Sequence, residues 1–233
     1  MPGAYARHVL TDRDIARWRL HSQHLAAPVD GAEDVVRSLL AVQAENPSQS
    51  AWAVATRTRH PQQSDLVGLL ESGRVLRTHV LRPTWHYVHA DDALWLLELT
   101  RDRVLPVVDQ QLVPLGDRLG AVADAVLELL AASPDRTRAD LADALAQRGY
   151  ELTGMQLMLL AGHLELHAHI CSGVPREGEH TYALFSDRVD APRRLDRDEA
   201  LVELGGRYFA SHGPGTARGP QRAGLTPFDD LHA

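Results

Sequence analysis

The chain has 233 residues, 44% of them hydrophobic, which is enough for one large core or two to three small ones. Its net charge of −7 argues against nonspecific phosphate binding by the whole surface, so a binding surface for an anionic partner would need its arginines gathered on one face. No apolar run is long enough for a membrane span, no secretion signal opens the chain, and the single cysteine, Cys171, excludes an intramolecular disulfide, so we expect a cytoplasmic protein.

The first part of the chain predicts helices followed by a hairpin. Thr11, Asp30 and Asn46 are suitable N-cap residues, and Pro47 suits a first helical position. The pattern predicts helices over 12–26, 31–42, 47–58 and 64–72, the last ended by Gly73, and then extended segments over Arg74–Leu81 and Thr84–His89. This order of elements is typical of a winged helix.

The same order of helices followed by a hairpin then appears a second time along the chain. Asp91 and Asp92 predict a helix to about Leu99, followed by an apolar connector and a helix over 117–132. Thr137 and Thr153 predict two helix starts ahead of a second hairpin, so residues 135–187 are predicted to form a second winged helix. One more helix is expected over 196–211, and the last 20 residues are expected to be loose.

These patterns predict a mainly α protein with small β-hairpin wings, an α+β fold of tandem winged helices. We expect four parts: a first winged helix at 1–100, a helical connector at 101–134, a second winged helix at 135–190, and at 191–233 the start of an incomplete third winged helix with a loose tail.

Gln43-Ala44-Glu45 places an amide and a carboxylate at a predicted helix end, just before another helix start. The spacing leaves two interpretations open. The pair can be catalytic, or Glu45 can simply complement the N-terminus of the helix that begins at Pro47.

The predicted hairpin is rich in arginine, histidine and aromatic residues. Arginine binds phosphate and aromatic rings stack on bases, so the candidate DNA-binding residues are Arg77, Arg82, Thr84, Trp85 and His86. The alternative is that Trp85 packs the sheet with its valine neighbours while the arginine and histidine side chains face water.

The histidines do not predict a metal site. His86 and His89 lie an odd number of residues apart on one strand and so point to opposite faces. His163 and His167 are spaced i, i+4 on a helix but lack the HExxH pattern, and we expect them at polar positions near DNA or solvent. No phosphate-binding glycine motif is present either, and we expect no cofactor.

Several segments resemble the AlkZ/YcaQ-like family of winged-helix bacterial DNA glycosylases, which act on alkylated bases. The resemblance covers about 5–214 and is carried by Leu40–Trp52, Arg77–Val88, Asp91–Trp95, Thr181–Leu184 and Tyr208–Pro214. The family's active site has a glutamine, an apolar residue, and then a glutamine or an aspartate. Gln43 matches this motif directly. Glu45 departs from it, although a carboxylate resembles the aspartate form.

The resemblance implies a monomeric, nucleoid-associated enzyme that binds double-stranded DNA and hydrolyses the N-glycosidic bond of N7-alkylated purines through Gln43 and Glu45. All 24 basic residues are arginine, so catalysis through a lysine Schiff base is excluded. Family members usually continue into a third winged helix, which we do not expect in residues 215–233. The alternative is a non-catalytic winged-helix DNA-binding protein. A concave, arginine-lined surface shared by Gln43 and Glu45 would favour the enzyme.

Overall fold

The computed structural model describes residues 11–215. Ten α-helices and six β-strands lie within this range, in the order α1 (Asp12–Ser22), α2 (Ala32–Leu39), β1 (Ala41–Gln43), α3 (Pro47–Ala55), α4 (Asp65–Glu71), β2 (Val75–His79), β3 (Trp85–His89), α5 (Ala90–Leu112), α6 (Arg118–Ala132), β4 (Arg136–Thr137), α7 (Arg138–Gln147), α8 (Gly154–Leu166), β5 (Ile170–Ser172), β6 (Thr181–Leu184), α9 (Phe185–Arg188) and α10 (Arg197–His212).

Local capping explains where most of these helices begin. The side chains of Thr11, Asn46, Thr137 and Thr153 each accept a hydrogen bond from a backbone N–H in the first turn, as their sequence context predicts. The predicted cap at Asp30 is wrong, because α2 has Gly31 at its N-cap position without a side-chain bond.

Two units repeat one topology, which gives an α+β fold of winged-helix-like units. In the first unit, α2 to β3, the sheet has the order β1-β3-β2, and in the second, α6 to β6, it has the order β4-β6-β5. All strand pairs are antiparallel. The hairpins were predicted from sequence, whereas the short edge strands β1 and β4 were not.

The helix predicted over 31–42 is shorter than expected. It ends at Leu39, and Leu40 takes a positive φ of 67° that carries the chain out of the helix. Ala41, Val42 and Gln43 then pair with Val88, Tyr87 and His86 of β3. Pairing with a distant strand therefore decides the conformation of this segment.

The helix predicted to stop near Leu99 is longer than expected. α5 continues to Leu112 and includes Pro106 in its interior. Val104, Val108 and Leu112 are all buried and lie on one helical face, so burial extends the helix in spite of the proline. α6, which we expected to be part of a connector, packs against α7 and β6.

The main hydrophobic core runs through both units. It includes Leu76 and Val88 of the first sheet, Leu160 and Leu164 of α8, and Tyr182 of the second sheet. A smaller core belongs to the first unit alone and lies between α2, α3 and its sheet. The two units therefore share buried surface rather than meeting only through a linker.

A buried polar group sits where the units meet. The Glu165 side chain of α8 is 0% exposed, and its carboxylate accepts hydrogen bonds from His79 Nδ1 and, at 3.2 Å, from Trp85 Nε1. A buried carboxylate is stable only when donors satisfy it, so the first hairpin must supply these two groups.

The predicted loose tail, residues 214–233, lies outside the described residues except for its first two. None of the helices within residues 11–215 combines the length and the apolar character needed to cross a bilayer.

Replacing Glu165 with alanine should destabilise the protein by roughly 3 kcal/mol, because His79 and the Trp85 indole would lose their buried acceptor. Urea unfolding measures the change. Glu151→Ala, at an exposed position on the same unit, is the control and should stay within about 0.5 kcal/mol of wild type. Equal midpoints for wild type and Glu165→Ala would contradict the role given to this carboxylate.

Candidate active site

Gln43 and Glu45 lie at the edge of the first sheet rather than at a helix end. Gln43 is the last residue of β1, and the prediction that it follows directly on the end of a helix is wrong because residues 41–43 pair with β3. Both side chains are exposed, whereas Ala44 between them is fully buried. Gln43 ends the strand and Glu45 lies in the bend that follows it, so the amide and the carboxylate are both exposed at this edge of the sheet.

Three hydrogen bonds hold the segment from Gln43 to Glu45 in place. The Ala44 backbone N–H donates to the Trp85 carbonyl at 2.7 Å, which extends the β1–β3 ladder. The Trp85 backbone N–H donates to Glu45 Oε1 at 2.7 Å. Arg77 Nε donates to the Ala44 carbonyl at 3.0 Å. The carboxylate is therefore anchored through one oxygen, while the exposed side chain keeps access to solvent.

The Trp85 ring connects this segment to the second unit. It lies 5.0 Å from the His79 ring and 5.5 Å from the His180 ring, and the Arg77 guanidinium carbon lies 4.1 Å from its centre. With Glu165, which accepts from the indole N–H, these residues form what we call the junction cluster. Sequence reasoning missed Glu165 and His180, although an acid within the leucine-rich sequence of α8 indicates a buried position.

The hairpin residues proposed to bind DNA fall into two groups. Arg82 is exposed in the turn, and Thr84 and Trp85 are half-buried. Arg77 is only 6% exposed and His86 only 3%. The alternative expectation, that the arginine and histidine side chains of this hairpin face water, is therefore wrong for Arg77 and His86, because both are covered by neighbouring elements.

Gln43 opens onto a cleft of about 200 Å³ between the first sheet and α10. Its polar and aromatic lining is supplied by Gln43, Arg82, His86, Tyr208, Ser211 and His212. The Tyr208 and His212 rings are stacked with an angle of 3° between their planes. The surface beside Gln43 is thus concave and bears an arginine, whereas Glu45 does not line this cleft.

A larger cavity of about 650 Å³ lies on the other side of Arg77, between α3, α4 and the loop that connects β5 to β6. Its walls are mostly apolar, with Leu66 and Val67 on one side, and the ring of His180 reaches it from the loop. Arg77 therefore lies behind the Gln43–Glu45 segment and lines this cavity.

Burial changes the proton affinity of the groups around the site. It lowers the pKa of His86 to about 4 and that of His180 to about 3, because an imidazolium loses hydration there. Burial also lowers the pKa of Arg77. Both histidines are thus neutral at pH 7.

No group of histidine, cysteine, aspartate or glutamate side chains within residues 11–215 is arranged to hold a metal ion. His163 Nδ1 donates to the Asp109 carboxylate of α5 at 2.8 Å, and the His163 ring lies 4.6 Å from that of His167. This face of α8 therefore packs towards α5.

Comparisons with known proteins agree with this architecture. The profile of the family described as DNA glycosylase AlkZ-like matches residues 36–224, and the chain belongs to that family. The structure is similar to the Streptomyces sahachiroi DNA glycosylase AlkZ, with a TM-score of 0.67 and 20% sequence identity. The similarity covers 93% of this chain but only 63% of that one. No protein of curated function matches the sequence.

The buried His86 predicts a specific loss of stability in acid. The folded protein holds its pKa at about 4, whereas the unfolded chain has the ordinary value of 6.5. The contribution of His86 to the free energy of unfolding is therefore complete above about pH 6.5 and is lost as the pH falls towards about 4, by roughly 3 kcal/mol. His86→Asn should show a smaller loss between about pH 7 and pH 4.5 in urea unfolding. The same loss in both proteins would contradict this assignment.

Proposed function

We propose that this chain is a monofunctional DNA glycosylase that hydrolyses the N-glycosidic bond of N7-alkylated purines in double-stranded DNA. The observation that carries the proposal is the exposure of Gln43 and Glu45 two residues apart at the edge of the first sheet, where Gln43 and Arg82 line the same cleft. Membership of the AlkZ-like family supports the same chemistry.

The chemistry suits one amide and one carboxylate. As the C1′–N bond breaks, its electron pair stays with the base, and an N7-alkylated purine thereby loses its positive charge without an acid catalyst. Positive charge then develops at the sugar, where the fixed Glu45 carboxylate stabilises it. Gln43 orients the attacking water, and Glu45 or solvent takes the water's proton as the new C1′–O bond forms.

Two arginines of the surrounding hairpin have different proposed roles, one in binding DNA and one in positioning the Gln43–Glu45 segment. Arg82, exposed in the turn, is assigned a contact with a backbone phosphate. Arg77 is mostly buried and donates to the Ala44 carbonyl, so its assigned role is to hold the Gln43–Glu45 segment. Contacts of Thr84 and Trp85 with the nucleic acid stay predictions.

Glu45→Gln should lower the single-turnover rate of N7-methylguanine release by roughly 10²-fold, and by more than Gln43→Ala does. A glutamine at position 45 can still accept from the Trp85 N–H, so this change removes the charge and keeps the anchor. Glu45→Asp retains the charge and should keep most of the activity. Duplex affinity should change little in all three variants.

The control for these rates is Glu151→Gln, which removes an exposed carboxylate in the second unit. Equal rates of base release in wild type, Glu45→Gln and Gln43→Ala would contradict a catalytic role for both residues. Binding of the duplex without base release by the wild type would instead favour a non-catalytic DNA-binding protein.

Arg82→Ala should weaken duplex binding regardless of sequence and reduce the dependence of log K on log salt by about 0.9, the value expected for one phosphate contact. Binding titrations at several salt concentrations measure the slope. Arg118→Ala, at an exposed position on α6, is the control and should leave the slope unchanged. An unchanged slope for Arg82→Ala would contradict the phosphate contact.

A further inference from the structure

The cleft beside Gln43 contains a histidine for which the reaction described above has no role. His86 is the direct cross-strand partner of Gln43 in the β1–β3 pair. Both residues line the cleft, together with Arg82 from the turn and Tyr208 and His212 from α10. The sequence thus brings an imidazole and an amide together at the edge where the water is expected to bind.

The tautomer of His86 follows from its hydrogen bond. Nδ1 lies 2.9 Å from the Thr84 carbonyl oxygen, and a carbonyl can only accept, so Nδ1 carries the hydrogen. The pKa of about 4 keeps the ring neutral at pH 7, with Arg82 and His79 nearby adding to the effect of burial. With Nδ1 committed to Thr84, Nε2 is the ring nitrogen left with a lone pair.

A lone pair on Nε2 can accept a hydrogen bond from the attacking water. The water must direct an oxygen lone pair at C1′, so its hydrogens need acceptors on the protein side. The Gln43 carbonyl oxygen can take one hydrogen, and an imidazole nitrogen can take the other. As the C1′–O bond forms, the proton directed at this nitrogen is released to solvent, because a ring with a pKa of about 4 does not stay protonated at pH 7.

We propose that His86 is a further catalytic residue of this site, accepting through Nε2 a hydrogen bond from the water that attacks C1′. The assignment rests on the proposed glycosylase function. It places the water between two residues paired across the strands, Gln43 and His86, whose backbone geometry is fixed by the sheet.

Two substitutions of His86 test the roles of the two ring nitrogens separately. His86→Asn places an amide nitrogen near the Nδ1 position, which keeps the donor to Thr84 and removes the group at Nε2. His86→Gln extends an amide to the Nε2 position and restores an acceptor there. We expect His86→Asn to lower single-turnover release of N7-methylguanine by roughly 10²-fold, and His86→Gln to recover most of the loss.

Duplex affinity and the unfolding midpoint at neutral pH are measured in parallel. Duplex affinity should stay close to wild type in both variants, and the midpoint should stay close to wild type in His86→Asn, which keeps the bond to Thr84, and fall modestly in His86→Gln, which loses it. If His86→Asn does not fold, Nε2-methylhistidine incorporated at position 86 keeps the Nδ1 donor and blocks the acceptor, and the same loss of rate is expected.

Wild-type rates in His86→Asn, or in the methylated protein, would overturn the assignment. An equal loss of rate in both substitutions, accompanied by lower stability of His86→Asn, would show that His86 is only structural, and would overturn the assignment as well. Both outcomes leave the proposed function intact, because the wild type and Glu45→Asp still release the base. No release by the wild type would overturn the proposed function and the role of His86 with it.

Discussion

The arrangement of the whole site depends on Trp85. Its backbone pairs with Ala44 and anchors Glu45, while its indole N–H reaches Glu165 of the second unit. Glu165 is fully buried, and burying its carboxylate without these donors would destabilise the folded protein. Docking of α8 therefore requires a correctly formed first hairpin. Folding of the junction and placement of the Gln43–Glu45 segment are therefore coupled through one residue.

Local sequence signals predicted the local structure well. Capping residues such as Thr11 and Thr153 act on their own first turn, and hairpin segments show their β-branched and aromatic composition. The strand at Ala41–Gln43 could not be predicted this way, because three residues become a strand only through pairing with β3. Likewise, the continuation of α5 past Pro106 depends on burial by distant elements.

The candidate site was predictable to a smaller extent. The spacing of Gln43 and Glu45 left their role open, and the family resemblance singled them out. Arginine and histidine are usually exposed, so burial of Arg77 and His86 required partners that local sequence does not reveal: the Ala44 carbonyl for one and the Thr84 carbonyl for the other. The net negative charge agrees with the proposal that a small set of exposed arginines, Arg82 among them, contacts phosphate.

Identification of both products from one modified duplex tests the account most directly. A duplex with a single N7-methylguanine is incubated with the wild-type protein, and the free base and the strand are analysed separately. We expect free N7-methylguanine together with an abasic strand that stays intact until it is heated in alkali, because no lysine is present to form a Schiff base. A strand that is bound but keeps its modified base, or one that breaks before alkali is added, would contradict hydrolysis by Gln43 and Glu45.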